Sequence, residues 1–130
     1  MTSRLIIDLI TDLQAKYAVF DTAMKQAGID YIVTCTKRSM EEQDALYAQG
    51  RNGDNRHIVT NARAGQSAHN FGMAFDIVLM SNGKCIWDNS DPDWARAGAI
   101  GKAAGLEWAG DWVSFKEYPH FQLPDWKTRI

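Results

Sequence analysis

Between residues 5 and 27 the apolar positions recur in alternating steps of four and three: Ile6, Ile10, Leu13, Tyr17, Phe20, Met24 and Ala27. That spacing predicts one long amphipathic helix whose stripe packs on the domain's own core. Gly28 stands where a left-handed residue closes a helix. Tyr31 to Thr36 is rich in β-branched residues and reads as a strand ended by Lys37-Arg38. Ser39-Met40-Glu41-Glu42 then matches a capping box, which predicts a short helix to about Gln49 before Gly50. Arg38 therefore sits at a strand-to-helix corner, where a side chain can point into a cleft.

Residues 50–66 are rich in Gly, Asn and Arg without periodicity and predict a long surface loop. Ala74 to Met80 is a strand that is apolar except for Asp76, and Asn82-Gly83 predicts a hairpin returning over Lys84 to Trp87. Asp91-Pro92 opens a further helix, with Asp at the N-cap and Pro at its first position, and Gly105 closes it. Ala95, Ala99 and Ala103 are expected to form its close-packing face. Leu106 to Leu123 reads as short strand pieces dense in aromatics. The pattern predicts a single α+β domain over residues 1–130, a small antiparallel sheet with helices packed against it and no separate binding module.

Composition adds exclusions. At 45% hydrophobic and 23% charged, the 130 residues fit one globular domain with a core of its own, not a disordered, collagenous or coiled-coil chain. The 14 basic and 16 acidic residues nearly cancel, so charge gives no general pull toward nucleic acid. Cys35 and Cys85 are far apart, without metal-site spacing, and read as reduced, partly buried small hydrophobes. No signal-like opening or membrane-spanning run is present, which leads to the expectation of cytoplasmic synthesis without membrane insertion.

The chemistry lies in two places. His69 and Asp76 stand seven residues apart, and Glu117 and His120 follow near the end. A buried carboxylate in an apolar strand costs several kcal/mol unless a charge compensates it, so Asp76 needs a partner. Two imidazoles and a carboxylate can hold zinc and leave a fourth position open. Glu117 is then left as a candidate base, and Arg38 as a cation for a developing oxyanion. His57, in the polar loop, reads as solvated. Spacing alone leaves a second reading open, in which His69 is a satisfied core histidine and Glu117 a solvated surface charge.

Ser67-x-His69-x-x-Gly72-x-Ala74-x-Asp76, followed by Glu117-x-x-His120, resembles the signature of the D-Ala-D-Ala carboxypeptidase-like zinc metallopeptidases. That group shares a fold with lysostaphin-type peptidases and the hedgehog N-terminal domain. Supporting blocks are Arg38-Ser39 with Glu42-Gln43, Leu46 to Arg51, Gly105 to Trp108, Gly110 to Trp112 and Pro119 to Gln122, so the resemblance runs from about Thr34 to Gln122. Within the group the chain looks most like bacteriophage L-alanyl-D-glutamate endopeptidases, endolysins that cut peptidoglycan stem peptides.

The resemblance implies one catalytic Zn2+ held by His69, Asp76 and His120, with Glu117 as base and Arg38 as transition-state cation. Ser67 and Trp112 are candidate substrate contacts. Two departures stand out: the endolysin branch often has Asp where this chain has Glu117, and an aromatic residue usually precedes Arg-Ser where this chain has Lys37. The implied partner is bacterial peptidoglycan, with a monomer that depends on a holin to leave the host cytoplasm and reach the wall. Three other readings stand beside it: a D-Ala-D-Ala carboxypeptidase or dipeptidase, a non-catalytic zinc-containing wall-binding module, and a 2-His-1-carboxylate iron oxygenase. The last is disfavoured by the seven-residue gap between His69 and Asp76.

Overall fold

A computed structural model describes residues 2–130. Three helices, α1 (Thr11–Gln26), α2 (Met40–Ala48) and α3 (Pro92–Ala103), accompany five strands: β1 (Asp30–Cys35), β2 (Ala74–Ser81), β3 (Lys84–Ile86), β4 (Glu107–Trp108) and β5 (His120–Gln122). The strands form one sheet of order β1-β2-β5-β4, with β3 also pairing β2, and every pairing is antiparallel. Because β1 lies along one edge of β2, β5 and β3 share the other edge end to end. The expected α+β class and antiparallel sheet are what the chain adopts.

The turn chemistry behaves as the residues dictate. Asn82 and Gly83 both have positive φ, 52° and 77°, as a tight hairpin between right-twisted strands requires. The Ser39 side chain accepts from the Glu42 backbone N–H, and Asp91 accepts from that of Asp93, so both predicted caps are made. The loop over residues 50–66 contains turns but no helix or strand.

The first helix is shorter than its apolar stripe suggests. Ile6–Asp8 form a 3-10 turn, the chain extends at Leu9 and Ile10, and α1 starts at Thr11. The interruption has a tertiary cause: the Ile10 N–H donates to the Gly72 carbonyl (3.0 Å), and a Cβ on Gly72 would meet the Asp8 carbonyl oxygen at 2.8 Å. The stripe still serves the core, with Leu13, Phe20 and Met24 buried and Ile6, Ile10, Tyr17 and Ala27 packed against it.

One side of the sheet carries the aromatic core. Phe75 of β2 stacks on Phe121 of β5 (5.5 Å, 13°), and Phe20 of α1 meets both at 5.4 and 5.0 Å. Burial of such rings contributes about 1.5–3 kcal/mol each. The small-residue face of α3 differs from expectation: Ala95, Ala99 and Ala103 are exposed, and Trp94, Ala97, Gly98 and Gly101 face inward. The reason is the size of what they meet. A Cβ on Gly98 would come within 2.3 Å of the Trp108 ring, and one on Gly101 within 2.5 Å of Phe121. Alanine would be too large at either of these two positions.

Of the cysteines, Cys35 is buried and free as expected, whereas Cys85, in the short strand after the hairpin, is exposed. No helix is long and apolar enough to cross a membrane among the described residues.

Candidate metal centre and its cleft

The sheet register assembles the centre. Asp76 of β2 pairs with Cys35 of β1 on one side and His120 of β5 on the other. Phe75 and Phe121, one position along, point to the opposite face and anchor the row from beneath. His69 comes from the 3-10 turn Ala68–Phe71, whose N-cap Ser67 accepts from the His69 backbone N–H (3.3 Å). Gly72 reverses the chain at φ 69° and delivers it into β2.

Three donor atoms converge. Asp76 Oδ1 is 2.9 Å from both His69 Nε2 and His120 Nδ1, and the two nitrogens are 3.2 Å apart. Both histidines are buried and Asp76 is partly so. The far nitrogens are committed elsewhere: His69 Nδ1 donates to the Thr36 carbonyl (2.7 Å), and His120 Nε2 lies 2.7 Å from Gln122 Oε1. A carbonyl oxygen can only accept, so His69 must carry its proton at Nδ1 and its Nε2 is the atom free to ligate. Ligands at ~2.0–2.1 Å around a tetrahedral ion sit about 3.3 Å from one another. The donors therefore need to open by only a few tenths of an ångström to fit one.

Cys35 is the fourth group nearby: its sulfur, a His69 nitrogen and an Asp76 oxygen lie within 4.8 Å of one another. Its Sγ is 3.5 Å from His69 Nδ1, on the ring edge already occupied by Thr36, and it accepts from Arg38 Nη2 at 3.4 Å. Cys35 thus fills the space between His69 and Arg38, while the atoms in closest mutual contact are those of His69, Asp76 and His120.

The electrostatics couple His69 to Asp76 and set Glu117 apart. Burial opposes charge on His69, but the Asp76 carboxylate outweighs it and lifts the imidazole to a pKa of about 10. Burial likewise opposes ionisation of Asp76, yet the charge of His69 and hydrogen bonds from both histidines hold it far below the usual carboxylate range. Glu117 behaves differently. Burial raises its carboxyl above the ordinary value, with Asp76 adding to the rise and His120, His69 and Arg38 opposing it.

These groups line an open cleft of about 580 Å³, bounded by Arg38, His69, Asp76, Trp112, Glu117 and His120. Its outer wall is the predicted loop, through Val59 to Ala62. That wall is tied to α2: Gln43, fully buried, donates to the Ala62 carbonyl (2.7 Å) and accepts from Arg38 Nη1 (3.1 Å), and Asp44 accepts from the Ala64 N–H (2.9 Å). Arg38 Nε is buried without a hydrogen-bond partner among the described residues. The corner carrying Arg38 is braced by the N-terminal segment, where Thr2 bridges to Arg38 and Ser3 donates to the Lys37 carbonyl (2.8 Å).

Each predicted site residue lies at this cleft. Ser67 caps the turn bearing His69 and also lines the cleft, and the Trp112 ring lies 5.6 Å from that of His120. His57 is exposed, as expected of a solvated residue. Sequence reasoning gave no role to Gln43, Glu107 and Gln122, although all three fall in the blocks that carry the resemblance. Gln122 had a further signal, since a residue two after His120 in a strand shares its face.

Comparison with known proteins agrees with this geometry. A family model described as D-alanyl-D-alanine carboxypeptidase matches residues 60–123. The Bacillus subtilis peptidoglycan L-alanyl-D-glutamate endopeptidase CwlK is 44% identical over 109 residues, covering 78% of this chain and 65% of that protein. The chain is thus similar to the D-alanyl-D-alanine carboxypeptidase-like peptidases over residues 60–123. The L-alanyl-D-glutamate peptidase of Listeria phage A118 is 33% identical over 74% of this chain and 31% of its own length. The chain thus spans less than two thirds of either relative. The fold of the chain is also that of the Serratia marcescens L-Ala D-Glu endopeptidase ChiX, with a TM-score of 0.73 at 23% identity over 100% of this chain and 93% of that one.

Proposed function

We propose that this chain is a zinc-dependent endopeptidase that hydrolyses the L-alanyl-D-glutamate bond of peptidoglycan stem peptides. The observation that carries the reading is the meeting of His69 Nε2, Asp76 Oδ1 and His120 Nδ1 within 3.2 Å, in a cleft that also holds Glu117 and Arg38. The donor set of two imidazoles and a carboxylate suits zinc and matches the open three-ligand arrangement of catalytic sites. The ion supplies Lewis acidity toward water and the scissile carbonyl.

Glu117 accepts the proton of the attacking water and returns it to the leaving amine. Its raised carboxyl brings its proton affinity closer to working pH, which favours both transfers. Arg38, which lines the cleft, donates to the carbonyl oxygen as negative charge develops. Trp112 contributes an apolar ring face to the substrate, because its indole N–H is engaged by Glu107. Ser67 still has a hydroxyl proton to donate. The choice of bond rests on the CwlK and phage relatives.

The phage relative supports an endolysin role. In that role the chain acts as a monomer, made in the host cytoplasm and released to the wall when a holin opens the inner membrane. The deciding experiment digests purified peptidoglycan with and without chelator and analyses the fragments by mass spectrometry. A new N-terminal D-Glu that disappears with chelator and returns with zinc supports the proposal. Released D-Ala would replace it with the carboxypeptidase reading, and an intact wall would leave a binding module.

A further inference from the structure

His120 can ligate through Nδ1 only if Nε2 holds the ring's proton, yet Asp76 Oδ1, 2.9 Å from Nδ1, is an acceptor that favours the opposite tautomer. Its Nε2 faces Gln122 Oε1 at 2.7 Å. Gln122 could present either end of its amide there, since oxygen and NH2 are similar in shape. The choice is made one residue further out. Gln122 Nε2 lies 3.1 Å from Glu107 Oε2, and that same oxygen accepts the indole N–H of Trp112 at 2.8 Å. Indole N–H only donates, so this carboxylate oxygen is an acceptor and the NH2 end of Gln122 must face it. Oε1 is then turned toward His120, whose Nε2 must be the donor.

We infer that Glu107, acting through Gln122, selects the Nε2–H tautomer of His120 and thereby readies Nδ1 for the metal. Both are positioning residues, and the assignment rests on the proposed ligand role of His120. The sheet makes the relay possible. His120 and Gln122 share a face of β5, and Glu107 is the register partner of Gln122 on β4. The turn Ala109–Asp111 brings Trp112 back to Glu107. Gln122 is buried, at 8% exposure, and both ends of its amide are satisfied only in this orientation. The arrangement is a carboxylate–amide–imidazole chain built to orient a ligand, and losses of such outer partners typically lower metal affinity about 10–100-fold.

The test uses Gln122→Met, which keeps the side chain's length and removes its acceptor, with Glu107→Leu and Glu107→Gln beside it. Long-range 1H–15N spectra of the metal-free protein read the His120 tautomer directly, and chelator competition reads zinc affinity. In the unaltered protein Nε2 of His120 carries a proton despite the Asp76 acceptor at Nδ1. Gln122→Met lets that proton move to Nδ1, toward Asp76, and gives about 10–100-fold weaker zinc binding. Glu107→Leu gives a smaller loss of the same kind, and Glu107→Gln, which keeps an acceptor oxygen for both donors, stays near the unaltered protein. At saturating zinc Gln122→Met and Glu107→Gln recover kcat with KM unchanged, as residues acting through ligand orientation should; Glu107→Leu also frees the Trp112 indole and is read by tautomer and zinc affinity alone.

An unchanged tautomer and unchanged zinc affinity in folded Gln122→Met would overturn the inference. The same result in Glu107→Leu would remove Glu107 from it. Because the tautomer is read without metal or substrate, this outcome is separate from that of the peptidase reading, which falls if the zinc-loaded protein leaves peptidoglycan intact.

Discussion

On the proposed reading, zinc must displace a proton to enter this site. In the metal-free protein Asp76 holds His69 protonated, with a pKa of about 10. Its Nδ1–H is taken by the Thr36 carbonyl, so the second proton is the one on Nε2, facing Asp76 at 2.9 Å. Metal ligation needs the lone pair on that nitrogen, so binding releases this proton at neutral pH. Apparent zinc affinity should then rise about tenfold, or ~1.4 kcal/mol, per pH unit until His69 deprotonates unaided. Nitrogen NMR of the metal-free protein should show both His69 ring nitrogens protonated at neutral pH, and zinc should strip Nε2 alone. Calorimetry in buffers of different ionisation heat should count at least one proton released per ion. A neutral His69 in the metal-free protein, or zinc binding without proton release, would refute the reasoning.

The same pair sets the pH profile of metal-free stability. The His69 value is raised above 6.5, so its contribution is fully present below pH 6.5 and fades as pH rises toward about 10. The Asp76 value is depressed below 3.8, so its contribution is present above that value and fades as pH falls. Urea unfolding of the metal-free protein should therefore give its highest midpoint between these limits. Zinc loading should flatten the alkaline side, because the ion takes over the role of the proton.

Four substitutions follow from the same geometry. Glu117→Gln should abolish wall hydrolysis while zinc still binds. Because burial raises this carboxyl from 4.5, its native ionisation costs stability above that pH, so the variant should also raise the metal-free urea midpoint at neutral pH and lose that gain near pH 4.5. Arg38→Ala should lower kcat by about 10²–10³-fold with zinc affinity retained, as loss of one oxyanion donor does; steady-state kinetics on a soluble stem peptide would measure it. Gln43→Leu removes the acceptor holding Arg38 Nη1 and the donor to Ala62, and should lower kcat in the same assay by less than Arg38→Ala. Gly98→Ala sets a methyl 2.3 Å from the Trp108 ring and should cost about 1–3 kcal/mol in thermal unfolding.

What the sequence could disclose depended on whether a residue's own chemistry announced its partner. Asp76 was legible because a carboxylate in an apolar strand requires a cation, and the structure supplies two imidazoles to it. The hairpin and caps were legible because Asn82-Gly83, Ser39 and Asp91 act on backbone groups within three residues. The break before α1 was hidden, since its cause is a contact between Ile10 and Gly72, far apart in the chain. The packed face of α3 was misread for the same reason: Trp108 and Phe121, which demand glycine beneath them, arrive from β4 and β5. Glu107 shows the limit most clearly. It is an ordinary acid in a two-residue strand, and only the register that sets it against Gln122 links it to His120. A ligand must have a lone pair and can be recognised by residue type. The group that decides which nitrogen carries that lone pair can be any acceptor at the right place, so it becomes visible only once the strands are paired.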